Sequence, residues 1–219
     1  MKKVIALLLL MVVTTTHPLQ AAEEPFEAGV HYRELSRTLL WGDSDKVEVV
    51  EFFWYGCPHC YQFEPTLSAW LADNGETVNF VRVPGTNNRY NPLWDLHAQA
   101  YFVSQSLGVS DKTHGVLFHA LHNPESKKRL ASREEIKDVF ISQGVDADAF
   151  DQAWNAFLVK TNLNRAEQLG EAYGVGGVPA MAVAGKYVVD SRVPKGFSQM
   201  MEVVDFLVKR ELNRRSTAE

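Results

Sequence analysis

The stretch VEVVEFFWYGCPHCYQF, from Val47 to Phe63, joins an apolar run to a helix-like run through two cysteines. Cys57 and Cys60 are the only cysteines among 219 residues. A strand that ends and turns into a helix at a Cys-x-x-Cys sequence is typical of a redox site. Unpaired N–H groups and the helix dipole favour an anionic sulfur at the first cysteine, and only a thiolate attacks a disulfide. The pattern predicts two catalytic cysteines, with Cys60 one turn deeper than Cys57.

The two residues between the cysteines are expected to tune the chemistry. Pro58 suits a first helical position, because its fixed φ matches the helix and no needed N–H is lost. His59 lies next to the anionic sulfur of the reduced form, where a protonated or N–H-donating imidazole stabilises the thiolate. A stabilised thiolate favours the reduced state and makes the disulfide an oxidant. The alternative is that His59 is a solvated loop histidine.

Apolar patterning around the cysteines predicts alternating strands and helices. Lys46 to Tyr55 is apolar on both faces, as in a central strand. The helix after the cysteines is expected to kink at Pro65, and Thr77 to Val83 alternates like the next strand. Further elements are a short edge strand at Val30–Leu35, helices at Leu93–Leu107, Thr113–His122, Arg133–Gln143, Ala147–Lys160 and Asn162–Tyr173, a hairpin of Ala180–Ala184 and Lys186–Asp190 around Gly185, and a closing helix at Phe197–Leu212.

This order, βαβ, a helical block and then ββα, predicts an α/β protein: a thioredoxin-like fold with a helical insertion domain. We expect the first part of the thioredoxin-like domain at 23–86, the insertion at 87–162 and the second part at 163–219. Residues 1–22 read as a secretory signal peptide, with Lys2 and Lys3, an apolar run too short to span a bilayer, and cleavage after about Ala21 or Ala22. The predicted location is the periplasm.

Charge and cysteine usage narrow the function classes. The formal net charge is −5, and removing residues 1–22 deletes two lysines and no acids, which gives −7 (20 basic and 27 acidic residues). Scattered basic residues on an acidic chain provide no footprint for nucleic acid. An exported protein whose only cysteines form one Cys-x-x-Cys uses them for redox work rather than as a structural disulfide.

Glu51 is an acid inside the apolar strand, six residues before Cys57. A buried carboxyl has a raised pKa and can relay protons to or from Cys60. The alternative is an edge or end-of-strand glutamate with a basic partner.

Gly176-Gly177-Val178-Pro179 lies between a predicted helix and the hairpin. A proline before a strand can carry a cis bond in a tight turn. The backbone of Val178 is then free to pair with an extended substrate peptide as an added strand. Trp54 and Tyr55 are expected to form an apolar rim for unfolded chains, or to pack in the core.

Other uses of the cysteines and histidines are weaker. A zinc site needs four ligands, and the chain has no second Cys-x-x-Cys. His114, His119 and His122 are close in sequence but lack nearby cysteines or carboxylates, so they are read as surface or half-buried helix residues. We expect no metal and no cofactor.

The sequence resembles the DsbA family of periplasmic thiol oxidases. The matching segments are FFWYGCPHCYQFEP, from Phe52 to Pro65, and GVPAMAVAGKYVV, from Gly177 to Val189. The resemblance implies that Cys57 is the nucleophile and Cys60 its buried partner, that Val178-Pro179 is a cis-proline pair, and that Glu51 is the buried acid. Some members pair this acid with a lysine, and no lysine occupies that position before Val78.

The resemblance also implies partners: unfolded exported proteins with free thiols as substrates, and a quinone-linked membrane reoxidase of the DsbB type. The predicted function is a monomeric disulfide donor. An isomerase or reductase is the second hypothesis, although no extra N-terminal module for dimerisation is visible. A peptide-binding holdase is the third, and replacing both cysteines separates it from the other two.

Overall fold

The computed structural model describes residues 24–39, 45–86, 91–125 and 128–217. Predictions for residues 1–22 lie outside these ranges. Five strands are present in the described part: β1 Arg33–Glu34, β2 Val47–Phe53, β3 Val78–Pro84, β4 Ala180–Val183 and β5 Tyr187–Asp190. The helices described are α1 Pro58–Asn74, α2 Leu93–Ser106, α3 Ser110–His122, α4 Arg133–Ser142, α5 Ala147–Asn155, α6 Phe157–Ala172 and α7 Gly196–Ser216.

The strands form one mixed sheet in the order β1-β5-β4-β2-β3. β2 is parallel to β3 and antiparallel to β4, and every residue of β2 is buried. The apolar run around Glu51 is therefore a central strand, as predicted, because such strands are covered on both faces. The predicted edge strand is at the edge but pairs only over Arg33 and Glu34.

Two apolar cores lie on opposite faces of the sheet. One contains Phe63 and Leu67 of α1 and the apolar face of α7, packed on Val47 and Val49. The other contains α2 to α6, packed on Val50 and Phe52. From Val47 to Phe52 the apolar residues of β2 thus follow the two-residue period of a strand, whereas Phe53 at its end joins the same core as Phe52. This three-layer arrangement holds the β2–α1 junction between the sheet and the helical insertion.

The hairpin turns where Gly185 was expected. Ala184 and Gly185 both have positive φ, 53° and 64°, and the Lys186 N–H donates to the Val183 carbonyl at 3.0 Å. Two consecutive positive φ angles are the geometry of a tight turn that matches the twist of the strands. The backbone of Leu39 lies against this turn, and its N–H donates to the Gly185 carbonyl at 2.7 Å.

The predicted division between the last two insertion helices was wrong. The break lies at Ala156, whose φ of −62° and ψ of 137° are extended, and not at residue 161. α6 then runs unbroken from Phe157 to Ala172, so the proposed boundary at 162/163 lies inside a helix. An unbroken helix through Ala153 and Trp154 would have placed Phe157 in the core. Because the helix breaks at Ala156, Phe157 points outward and is 84% exposed.

Two other boundaries differ in detail: α3 begins at Ser110 rather than Thr113, and α7 extends to Ser216 rather than Leu212. α1 runs through Pro65 to Asn74. Among the described residues, no helix is both long and apolar enough to cross a membrane.

Candidate active site

The chain leaves β2 at Phe53, passes Trp54, Tyr55 and Gly56, and enters α1 at Pro58. Cys57 is the N-cap of α1, with φ −87° and ψ 116°, and Pro58 takes the first helical position as predicted. The Cys57 N–H donates to the Trp54 carbonyl at 2.9 Å, and the Cys57 carbonyl accepts from the Tyr61 N–H at 3.1 Å. The Cys57 sulfur therefore lies where the first N–H groups of the helix have no backbone acceptor.

The two free sulfurs have opposite electrostatic surroundings. The pKa of Cys57 is lowered to about 6, first by a hydrogen bond from the Cys60 thiol, against the effect of burial, and then by the backbone N–H groups of Cys60 and His59 and the charge of His59. Burial and the neighbouring Cys57 sulfur raise the pKa of Cys60 far above its ordinary value. Cys57 is 8% exposed and Cys60 is fully buried. Cys57 is thus the better nucleophile and leaving group.

The Val178–Pro179 loop faces the nucleophile. The Val178–Pro179 peptide bond is cis, as predicted, and the Cys57 sulfur lies 3.5 Å from the Val178 carbonyl oxygen, to which it donates when protonated. Gly176 and Gly177, which precede this bond, belong to neither a helix nor a strand, and both are exposed. A backbone edge next to the reactive sulfur is the feature needed for pairing with an extended peptide.

A cavity of about 530 Å³ opens beside Cys57 and Val178. One wall is the indole pair of Trp54 and Trp94, stacked with ring centroids 4.5 Å apart and planes 8° apart. Trp54 leaves no room for a side chain at position 56, since a Cβ on Gly56 would lie 2.3 Å from the ring. The opposite wall comes from α6 and the segment after it, with Ala166, Glu167, Gly170, Glu171, Gly174, Val175, Gly176 and Gly177.

Of the two aromatic residues expected at a rim, Trp54 lines the cavity whereas Tyr55 packs in the core at 2% exposure.

Glu51 is fully buried, and its partner is Arg82, whose Nε donates to Glu51 Oε2 at 2.8 Å. Burial raises the pKa of Glu51 to about 8, Arg82 opposes the rise and Glu64 adds to it. The charge of Glu51 in turn contributes to the raised pKa of Cys60. The basic partner sought before Val78 is an arginine on β3, directly opposite Glu51 in the parallel register.

The carboxyl network continues from Arg82 to the third helix. Arg82 Nη2 also donates to Glu64 Oε2 at 3.1 Å, and Glu64 Oε1 lies 3.3 Å from His114 Nε2. His114 Nδ1 lies 2.9 Å from the Tyr55 hydroxyl. Arg82 and Glu64 were not among the site residues predicted from the sequence. The signal in the sequence was Arg82 itself, a charged residue within the strand that pairs with the strand of Glu51.

The three histidines of α3 have different surroundings. His119 is exposed, and its Nε2 lies 2.7 Å from Asn123 Nδ2. His114 and His122 are half-buried and reach the active-site loop, where His122 Nε2 lies 2.7 Å from the Tyr55 carbonyl oxygen. Within the described ranges, no group of three histidine, cysteine or acidic side chains is arranged to hold a metal.

Comparison with known proteins identifies relatives of this chain. A family profile described as "DSBA-like thioredoxin domain" matches residues 93–202. The thiol:disulfide interchange protein DsbA of Azotobacter vinelandii is 40% identical over 183 residues, which are 84% of this chain and 83% of that protein. The protein of the same name from Pseudomonas aeruginosa is 38% identical over 191 residues, 87% of this chain and 88% of that protein.

Solved structures agree with the sequence matches. The crystal structure of Pseudomonas aeruginosa DsbA matches with a TM-score of 0.79 at 37% identity, over 89% of this chain and 97% of that chain. A complex of a Proteus mirabilis DsbA variant with a non-covalently bound peptide, PWATCDS, matches with a TM-score of 0.66 at 27% identity, over 85% and 100% of the two chains. The predicted thioredoxin-like fold is confirmed. Identity at this level over more than four fifths of both chains shows that this protein belongs to the DsbA family of thiol:disulfide oxidoreductases.

Proposed function

We propose that this thiol:disulfide oxidoreductase acts as a disulfide donor, in which Cys57 forms the mixed disulfide with substrate. The observation that carries this proposal is the asymmetry between the sulfurs, a low pKa at Cys57 and a raised pKa at Cys60. A thiolate held at low pKa favours the reduced protein, so the Cys57–Cys60 disulfide tends to accept electrons.

The first exchange breaks the protein's disulfide. A substrate thiolate attacks the Cys57 sulfur, a substrate–Cys57 disulfide forms, and Cys60 leaves as a thiolate that takes up a proton. The raised pKa of Cys60 favours that protonation. Glu51 is the proposed proton source, because burial keeps it protonated near neutral pH.

The second exchange releases the product. A second substrate thiolate attacks the substrate sulfur of the mixed disulfide, and Cys57 leaves as a thiolate. Thiols of low pKa leave faster, so the surroundings that lower the pKa of Cys57 speed release. The substrate loses two electrons and two protons in total: the Cys57–Cys60 pair gains both electrons, Cys60 keeps one proton, and the other passes to solvent while Cys57 remains a thiolate.

Substrate binding is proposed along the Val178–Pro179 loop and in the adjoining cavity. The backbone of Val178 pairs with an extended chain, and the Trp54–Trp94 wall takes an apolar side chain of that chain. The peptide in the complex of the Proteus mirabilis relative contains a cysteine and a tryptophan, which fits a cleft with a thiol at one end and indole rings along a wall. Small residues on α6 leave room for such a side chain.

The proposed setting is the periplasm after cleavage of residues 1–22. The substrates there are unfolded exported proteins with free thiols. Because each turnover leaves Cys57 and Cys60 reduced, the cycle needs a two-electron acceptor, for which we propose a quinone-linked membrane partner of the DsbB type. We propose that the protein works as a monomer.

Equilibration with glutathione tests the donor function directly. We expect the oxidised protein to be reduced by a mixture in which most glutathione is already disulfide, as measured by trapping the two forms at a series of glutathione ratios. Cys60→Ser is expected to accumulate mixed disulfides on Cys57 that reductant removes. Activity retained after replacement of both cysteines would favour the holdase, and an equilibrium close to that of a reductant would refute the donor.

A further inference from the structure

Tyr55 connects the active-site loop to the helical insertion at two points. Its hydroxyl lies 2.9 Å from His114 Nδ1, and its carbonyl oxygen lies 2.7 Å from His122 Nε2. Both histidines belong to α3. Between these contacts the Tyr55 ring is buried against Phe118, with ring centroids 4.9 Å apart. We call the two histidine contacts the Tyr55 anchor.

The direction of each hydrogen bond follows from its atoms. A carbonyl oxygen only accepts, so Nε2 of His122 carries a hydrogen and donates to Tyr55. The pKa of His114 is lowered, chiefly by burial, so its ring is neutral near neutral pH and carries one N–H. That hydrogen belongs on Nε2, which faces the Glu64 carboxylate at 3.3 Å. The Tyr55 hydroxyl then donates to Nδ1 of His114.

The anchor adds to the turn hydrogen bond between the Cys57 N–H and the Trp54 carbonyl. Tyr55 is followed by Gly56 and then by Cys57, and glycine restricts its own dihedral angles least of all residues. His122 also stacks on Tyr61, with centroids 5.1 Å apart and planes 18° apart. One histidine therefore contacts residues on both sides of the Cys57–Cys60 pair.

The chemistry of Cys57 depends on this local geometry. Its low pKa comes from the Cys60 thiol and from the N–H groups of His59 and Cys60, all of which must point at one sulfur. Hydrogen bonds to an anion weaken quickly as distance and angle depart from ideal values. If the backbone rotates at Gly56, the distances and angles between these donors and the Cys57 sulfur become less favourable.

We propose that His114 and His122 are positioning residues for the redox reaction, which hold Tyr55 by its hydroxyl and its carbonyl and thereby fix the Cys57 sulfur against its hydrogen-bond donors. The inference rests on the proposed role of Cys57 as nucleophile. It assigns to the insertion helix α3 a part in setting the oxidising strength of the active site. The hydrogen bonds that the described residues show for these two histidines reach Tyr55 and not the reacting sulfur.

Substitutions at His122 separate the N–H donor from the ring. His122→Phe keeps an aromatic ring next to Tyr61 but has no N–H group to donate to the Tyr55 carbonyl. His122→Gln has no ring, but its side-chain amide N–H can donate in place of imidazole Nε2. His119→Phe is the matched control, because His119 is exposed on the same helix. The readouts are the pKa of Cys57, from the ultraviolet absorbance of its thiolate, and the equilibrium constant with glutathione.

We expect His122→Phe to raise the pKa of Cys57 and to make the protein a weaker oxidant. A rise from about 6 to about 7 changes the glutathione equilibrium at neutral pH roughly fivefold. His122→Gln and His119→Phe should remain close to the parent. Tyr55→Phe removes one oxygen from an otherwise unchanged core and should shift both quantities in the same direction, so the test survives if His122→Phe does not fold.

Two results would overturn the inference: unchanged values in both His122→Phe and Tyr55→Phe, or a loss in His122→Gln that His122→Phe does not show. The second result would mean that the ring matters rather than the N–H donor. The parent's own glutathione equilibrium tests the disulfide-donor function separately. A parent that behaves as a reductant refutes the proposed function, whereas variants indistinguishable from an oxidising parent refute only the anchor.

Discussion

Two sulfur atoms in the same helical turn have unlike surroundings in this protein. Cys57 is the N-cap and receives hydrogen bonds, whereas Cys60 is fully buried and faces the negative charge of the neighbouring Cys57 thiolate. The sequence predicts this difference, because the first cysteine of the motif meets the helix N-terminus and the second enters the apolar interior. It does not predict which of the surrounding groups lowers the pKa of Cys57 most.

The ranking of those causes leads to a prediction. The Cys60 thiol contributes most to the low pKa of Cys57, and the charge of His59 contributes less. We expect Cys60→Ala to raise the pKa of Cys57 more than His59→Ser does, with His119→Ser unchanged. Titration of the thiolate by its ultraviolet absorbance measures all three. An equal or larger effect of His59→Ser would show that the histidine, and not the second cysteine, dominates the stabilisation.

At the scale of helices and strands, the sequence predicted the junctions that carry a distinctive residue, such as a cysteine, proline or glycine. The β2–α1 junction and the β4–β5 hairpin lie where Cys57-Pro58 and Gly185 indicated them. The break at Ala156 carries no glycine or proline, so no local signal in the sequence marks it. Arg82 opposite Glu51 was missed because a parallel register depends on two strands separated by a helix, which no local pattern reports.

The hairpin turn provides a stability test with an internal control. A Cβ on Gly185 would lie 1.6 Å from the Leu39 carbonyl oxygen, and the position has φ +64°. We expect Gly185→Ala to lower the free energy of unfolding by more than about 1 kcal/mol, because both the clash and the left-handed backbone are costly.

Gly115 in α3 is the control for this test, since nothing lies within 4 Å of its added Cβ. Gly115→Ala should stabilise by about 0.5 to 1 kcal/mol, the ordinary preference of a helix for alanine. Denaturant unfolding of both variants measures the two effects. A neutral Gly185→Ala would mean that the turn and the segment at Leu39 yield without cost.

At the scale of the whole molecule, redox state and folding stability are linked through the Cys57 thiolate. The folded-state pKa of about 6 is below the unfolded value of about 8.5. The stabilisation is therefore fully present above about pH 8.5 and is lost as the pH falls through about 6. The disulfide form has no thiolate and lacks this dependence.

We expect the stability of the reduced form, relative to the oxidised form, to rise with pH. The rise between about pH 5 and about pH 9 should be about 2 kcal/mol after allowance for solvent screening at a partly open site. Chemical denaturation of both forms measures it. The difference between the forms is the proper readout, since Glu51 also titrates in this range. A flat or falling difference would contradict a thiolate at Cys57.

The complete burial of Cys60 also bears on how the site withstands oxidants such as peroxide. A small oxidant reaches Cys57 first and converts its thiolate to a sulfenic acid, the first rung of thiol oxidation. The neighbouring Cys60 thiol, itself shielded from attack, condenses with that sulfenic acid and expels water. The product is the Cys57–Cys60 disulfide, which is the working form of the enzyme. Oxidation by peroxide, which would inactivate an isolated reactive thiol, therefore regenerates the disulfide of this active site.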